Sequence, residues 1–274
     1  MQLAFSTNAF TSYSLTDAIK AIAAAGYGGV EIMADVPHAY PPKMTPEKIA
    51  ETRHAIAECR MGISNVNAFM LKAVGDFWHP SWIEQDKVKR EQRLRHTIDS
   101  LKLAQALGAR TVSTEAGGPL DGVDRDTARK WFDEGILCAL DAAEHCCVKL
   151  LIEPEPGLLI ENVDQAEEFF TRFRSPWLGL NFDVGHFFCV GADLRRAIRR
   201  FAPYIGHVHI EDIGADRRHH HLIPGRGAID FGAVFDALRS AGYDGWVTVE
   251  LYTEGATPVE AAVAALKHLK RFLN

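Results

Sequence analysis

Short apolar runs alternate with longer amphipathic stretches from one end of this sequence to the other, and the pairing recurs eight times. Leu3 to Ser6 reads as a strand, and Leu15 to Ala25 as a helix closed by Gly26. Gly29 to Met33 is a second strand. Thr45, Pro46 and Glu47 supply an N-cap and a first-turn proline for a helix reaching about Arg60. Ile63 to Ala68 is the third strand, Ser81 to Leu107 a long charged helix ended by Gly108, and Arg110 to Glu115 the fourth strand. In the second half, helices over Asp126 to Cys146, Val163 to Phe173, Leu194 to Phe201, Ala233 to Ala241 and Thr257 to Phe272 alternate with strands. Those strands are Lys149 to Glu153, Leu178 to Asp183, Ile205 to Glu211 and Trp246 to Leu251. Strands alternating with helices build parallel sheet from βαβ units. Eight such pairs in 274 residues predict a closed (β/α)8 TIM barrel, one domain over residues 1–274. An open doubly wound sheet would announce a Gly-rich phosphate loop after its first strand, and Ser6-Thr7-Asn8-Ala9-Phe10 is not one. Gly26-Tyr27-Gly28-Gly29 lies between a helix and a strand, the wrong side for a dinucleotide fingerprint, and reads as a helix cap and turn.

Composition narrows the class. Hydrophobic residues at 47% and charged residues at 24% suit a soluble globular protein and exclude a disordered chain or a fibre. Acids outnumber bases 36 to 30, for a net charge of -6, which weighs against a nucleic-acid partner. The five cysteines are odd in number and show no CxxC spacing, so they read as free thiols in a reducing compartment. The first residues lack a signal-peptide pattern, and no apolar run approaches the ~18 residues of a membrane span. A cytoplasmic protein with no membrane partner is expected.

A barrel gathers its active site from the C-terminal ends of its strands. In His207-Val208-His209-Ile210-Glu211, Val208 and Ile210 suit the helix-facing layer, which turns His207, His209 and Glu211 inward. The same alternation turns Glu250 inward, and the fifth and sixth strands end in Glu153 and Asp183. Strands five to eight thus deliver Glu153, Asp183, His209 and Glu250 to one mouth. Three carboxylates and an imidazole would carry a charge of about −3, and burying such charges unpaired costs several kcal/mol each. A divalent cation is the natural compensation, with Mn²⁺, Mg²⁺ or Co²⁺ favoured by this oxygen-rich set and Zn²⁺ or Fe²⁺ also compatible. The plain alternative is that each acid caps the next helix or pairs with an arginine.

The segments Ile152-Glu153-Pro154, Asn181-Phe182-Asp183-Val184-Gly185-His186, His207 to Asp212, Pro224 to Phe231 and Thr248-Val249-Glu250 resemble the xylose-isomerase-like barrel superfamily, most closely its sugar and sugar-phosphate isomerases and epimerases. The resemblance covers nearly the whole chain. It implies that Glu153, Asp183, His209 and Glu250 bind one divalent metal. It further implies that Glu153 and Glu250 move protons on opposite faces of a keto-sugar through a metal-stabilised enediolate, and that His186 bonds a substrate oxygen. The chain departs from the ketohexose 3-epimerases, which have a Glu where Leu159 stands and an Arg where Ala215 stands. A free ketohexose 3-epimerase is therefore not expected. A dehydratase acting on an inosose or keto-sugar is the first rival, since enolisation is shared. An endonuclease IV-like phosphodiesterase is weaker, because the third and fourth strands end near Asn67 and Glu115 rather than in histidines. A barrel that has kept its ligands but lost catalysis is a third reading.

Further substrate contacts are expected from Glu155, which shares the parity of Glu153, and from His221, which shares a side with His219 in Arg217-Arg218-His219-His220-His221. Arg226 is a candidate partner for a phosphate or carboxylate. Glu31, Asn67 and Glu115 have inward parity and are candidates for sugar hydroxyls. Phe77-Trp78-His79-Pro80 reads as a loop covering the mouth or a partner subunit, with a homo-oligomer left open.

Overall fold

The structure, a computed structural model, describes residues Met1–Leu273. Eight parallel strands pair in chain order, and the last pairs with the first to close a barrel. They are β1 (Gln2–Ser6), β2 (Gly29–Met33), β3 (Gly62–Asn67), β4 (Thr111–Glu115), β5 (Lys149–Glu153), β6 (Leu178–Asp183), β7 (Ile205–Ile210) and β8 (Trp246–Val249). The helices are α1 (Leu15–Ala24), α2 (Pro46–Glu58), α3 (Lys87–Leu107), α4 (Arg125–Cys146), α5 (Val163–Arg172), α6 (Val184–Cys189), α7 (Leu194–Phe201), α8 (Phe231–Ser240) and α9 (Pro258–Leu269). The molecule is a (β/α)8 barrel.

Local chemistry sets the element ends. Thr45 accepts from the Lys48 backbone N–H and caps α2, with Pro46 in the first turn. Gly108 ends α3 in the left-handed conformation, φ 86°. Two elements differ from expectation. Helix α3 begins at Lys87 rather than Ser81, because Asp86 caps it, and Ser81, Trp82 and Ile83 are instead buried in the preceding loop. The Trp82 indole packs on Phe132 of α4 and donates to Thr114 Oγ1 at 3.2 Å, contacts a helical backbone here would not deliver. Helix α6 follows β6 with no loop at all; its six residues are too short to show a helical period.

Strand alternation sorts the side chains into two layers. Val208, Ile210, Val247, Val249, Leu150 and Ile152 are fully buried in the core beneath the helices. At the barrel floor, Trp246 lies across Gly29 and Gly62, where a Cβ would sit 2.5 Å from the indole. Leu151 fills the space over Gly179 and Gly206 in the same way. Above this apolar floor the interior turns polar. Thr248 bonds Ser64 at 2.9 Å and His207 at 2.7 Å, and Asn65 bonds Ser113 at 2.8 Å. No described helix is long and apolar enough to cross a membrane.

Candidate functional site

The C-terminal ends of β5 to β8 bring Glu153, Asp183, His209 and Glu250 together. One donor atom from each lies within 4.8 Å of all the others, and all four residues are buried. His209 Nδ1 is 3.0 Å from Glu153 Oε1 and 3.8 Å from both Asp183 Oδ2 and Glu250 Oε1. Asp183 divides its carboxylate. Oδ1 accepts from the His186 backbone N–H at 2.7 Å and caps α6, while Oδ2 is buried with no hydrogen-bond partner. An orphaned carboxylate oxygen aimed into a set of acids and an imidazole fits a cation.

The electrostatics agree. Burial raises the Glu153 carboxyl, with His209 opposing and Asp183 adding to the shift. Burial also pushes Glu250 well above the usual carboxylate range, against His209 and with Glu153. His209 runs the other way: burial lowers it, but Glu31, Glu153 and Glu250 together hold it well above the ordinary imidazole value. The ion-free cluster is therefore a set of negative charges short of positive ones.

Three asparagines hold these groups in place, and only Asn67 was singled out from the sequence, as a candidate for sugar hydroxyls. Asn181 Nδ2 donates to Glu153 Oε2 at 2.8 Å, and Asn8 and Asn67 donate to Glu250 Oε1 at 2.9 and 3.1 Å. Glu31, expected near sugar hydroxyls, instead accepts from His209 Nε2–H at 2.6 Å and from Asn65 at 2.9 Å. Glu115, also expected near substrate, pairs with buried Arg93 at 3.3 Å and does not line the cleft. Glu211 shares the inward parity of His209 and is fully buried beside Asp183, and burial with Asp183 raises it well above the usual carboxylate range. Asn181 was legible in principle, since it lies two residues before Asp183 on one strand face.

Above the cluster opens a cleft of about 280 Å³. Glu153, Glu155, His186, His219 and Glu250 line it, with Asn8 and Asn67. Phe69, Met70 and Phe77 of the β3–α3 connection and Tyr252 supply its apolar surface, and Phe77 rests on Tyr252 with ring centroids 5.6 Å apart. His186 Nδ1 faces the Pro154 carbonyl at 3.0 Å, which leaves Nε2 toward the cluster, 3.7 Å from Asp183 Oδ2. His221 is fully buried behind the cleft, with Nδ1 on the Glu250 carbonyl at 3.0 Å and Nε2 3.1 Å from His219. Arg226 corrects an expectation: it is exposed and outside the cleft, because its loop folds around Asp212 instead. Leu159, at the position where the ketohexose 3-epimerases carry a Glu, is buried against Gly117.

A parallel eight-stranded barrel with acids and an imidazole converging at its C-terminal mouth defines a class of enzyme-like architecture. The chain belongs to the xylose isomerase-like TIM barrel family, whose model matches residues 19–272. Inosose dehydratase of Lacticaseibacillus casei is 28% identical over 152 residues, 49% of this chain and 51% of that protein. The match thus spans about half the length of that relative. The apo structure of 3-keto-D-glucoside 4-epimerase from E. coli has the same fold, with a TM-score of 0.82 over 99% of each chain at 19% identity. So does the IOLI protein with a bound zinc atom, with a TM-score of 0.81 over 100% of each chain at 18% identity.

Proposed function

We propose that this protein is a divalent-metal-dependent isomerase or epimerase of a keto-sugar or related polyhydroxy carbonyl compound. The observation that carries the reading is the convergence of Glu153, Asp183, His209 and Glu250 within 4.8 Å at the base of a cleft. Those four side chains would hold the ion, His209 through Nδ1, and the oxygen-rich set suits Mn²⁺, Mg²⁺ or Co²⁺, with Zn²⁺ or Fe²⁺ compatible. When bound, the ion would supply Lewis-acid polarisation of the substrate carbonyl.

The chain's own groups move the protons. Asn181 fixes one oxygen of Glu153, and Asn8 and Asn67 fix one oxygen of Glu250. Each glutamate is thereby held in one rotamer, an orientation that general acid–base catalysis requires. One carboxylate takes the proton from the carbon beside the carbonyl and the other returns one. His186, Glu155 and His221 are assigned to the substrate side: His186 and Glu155 line the cleft, and His221 braces His219 and the Glu250 backbone. The free cysteines agree with a cytoplasmic location.

The likeness to an inosose dehydratase supports a second outcome of the same proton removal, elimination of water. Product analysis separates the two. The test of the shared step is solvent deuterium incorporation beside the carbonyl of candidate ketoses by ion-loaded protein. Glu250→Gln is expected to lower exchange by ~10²–10⁴-fold, and His209→Ala to lose the ion by elemental analysis. No exchange with any keto-sugar despite bound ion, or wild-type exchange in Glu250→Gln, would sink the reading.

A further inference from the structure

We propose that the compound this cleft accepts is uncharged, a polyhydroxy ketone without a phosphate or carboxylate. The inference rests on the isomerase or epimerase reading above and narrows its substrate class.

Charge is the first argument. Among the described residues no lysine or arginine lines the cleft, whereas Glu153, Glu155 and Glu250 do, with Asp183 beneath them. Three carboxylate ligands against a doubly charged ion still leave the centre one negative charge in excess. A phosphate dianion would enter a field of its own sign, and like charges brought together this way cost several kcal/mol.

The cations of the surrounding loops stay outside the lining. Arg217 lies over the Phe188 ring, 4.8 Å from its centroid, and Arg218 pairs with Asp216. Arg125 donates to the Leu159 carbonyl. Lys72 is exposed, with Nζ 5.4 Å from the centroid of Phe77, and stays outside the lining.

Backbone is the second argument. Barrels that bind phosphates commonly use N–H groups of the loops after the seventh and eighth strands. Here the loop after β7 contains the required glycines, but Asp212 already occupies them. Its carboxylate accepts from the N–H groups of Gly225 and Gly227 at 2.8 Å, Ile213 at 3.0 Å and Ile229 at 3.1 Å. Asp212 is buried, and a Cβ on Gly227 would lie 2.4 Å from its Oδ1. The chain's own anion fills the cradle that a substrate anion would need.

What remains suits a neutral polyol. Phe69, Phe77 and Tyr252 offer aromatic surface to the weakly positive C–H groups of a sugar. His186, His219 and the unpartnered Oδ1 of Asn8 offer hydrogen bonds to hydroxyls.

The experiment pairs free pentuloses and hexuloses with their terminal phosphate monoesters in the deuterium-exchange assay, using ion-loaded full-length protein. In parallel, calorimetry compares alditols, which cannot enolise, with the matching alditol phosphates and aldonates. Exchange favouring the neutral ketose by about a hundredfold or more, with alditols binding more tightly than either anion, is expected. Lys72→Ala should leave that preference unchanged. Preference for an ester or an aldonate in either assay, loss of ester turnover in Lys72→Ala, or no binding of any alditol at millimolar concentration would overturn the proposal. If no ketose exchanges, the proton-transfer reading fails, and the alditol titrations still decide the charge preference.

Discussion

His209 stands between two carboxylates, and its two ring nitrogens have separate tasks. Nε2–H donates to Glu31 at 2.6 Å, which leaves Nδ1 facing Glu153, Asp183 and Glu250, where a bound ion would take the place of its proton. Burial alone would raise Glu31, but His209 and then His207 more than offset it and hold the carboxyl at about 2. Glu31 is therefore a positioning residue that fixes a tautomer and adds negative charge behind the ligand. Groups of this kind typically contribute ~10–100-fold to metal affinity. Glu31→Gln is expected to weaken ion binding by about that factor in a chelator competition, with Glu31→Ala weaker still. Unchanged affinity in both variants would remove Glu31 from the site. Strand alternation made the three acids and the imidazole legible, because each lies at a strand end with inward parity. It gave no account of Asn8, which lies in the β1–α1 connection, 242 positions from the Glu250 it holds. Contacts at that separation are set by barrel closure and leave no local pattern.

The element that shapes the cleft is the connection between β3 and α3, and one buried arginine anchors both of its ends. Arg93 of α3 donates to the carbonyls of Ala68 at 3.1 Å and Phe69 at 2.7 Å, and through Nε to Pro80 at 2.8 Å. Between those anchors lie Phe77 and Trp78, which pack on Phe69. The sequence marks this loop by its aromatic run, but the span from 81 to 86 carries enough charge to read as helix. Asp86 and the buried Trp82 decide against it. Arg93→Met is expected to destabilise the fold by ~3–5 kcal/mol in urea titrations, since it strands buried Glu115 without a partner. Adding Glu115→Gln should restore part of that loss; no restoration would mean that the carbonyl anchors alone account for it. A shorter element makes a sharper separation. Asp183 is both cap of α6 and a proposed ion ligand through its other oxygen. Asp183→Asn should keep the cap and the ion-free melting temperature while losing ion affinity, whereas Asp183→Ala should also lose ~1 kcal/mol of stability.

The barrel as a whole was the most legible feature, because eight strand–helix pairs in one chain of this length point to closure, which buries every strand on both faces. Its consequence is an axis crowded with acids, and this ties stability to both pH and metal. Burial raises Glu153, Glu155, Glu211 and Glu250 above their unfolded values, and neighbouring acids hold His209 above its own. Groups raised on folding favour the native state while they remain protonated, below their unfolded pKa values. That contribution is lost as pH rises through the folded ones. The ion-free protein should therefore lose stability on going from mildly acidic to mildly alkaline solution. A bound ion replaces those protons, so its affinity should climb over the same interval. At a hundredfold excess over Kd it would add ~2.7 kcal/mol, a shift of several degrees in Tm. Thermal melts with chelator and with added Mn²⁺ between about pH 5.5 and about pH 8 test this directly. The gap between the two curves should widen with pH in the wild type and vanish in His209→Ala. A gap that narrows as pH rises would mean that the axial acids are not charged in competition with the ion, and the cluster would then be a structural hydrogen-bond network rather than a metal centre.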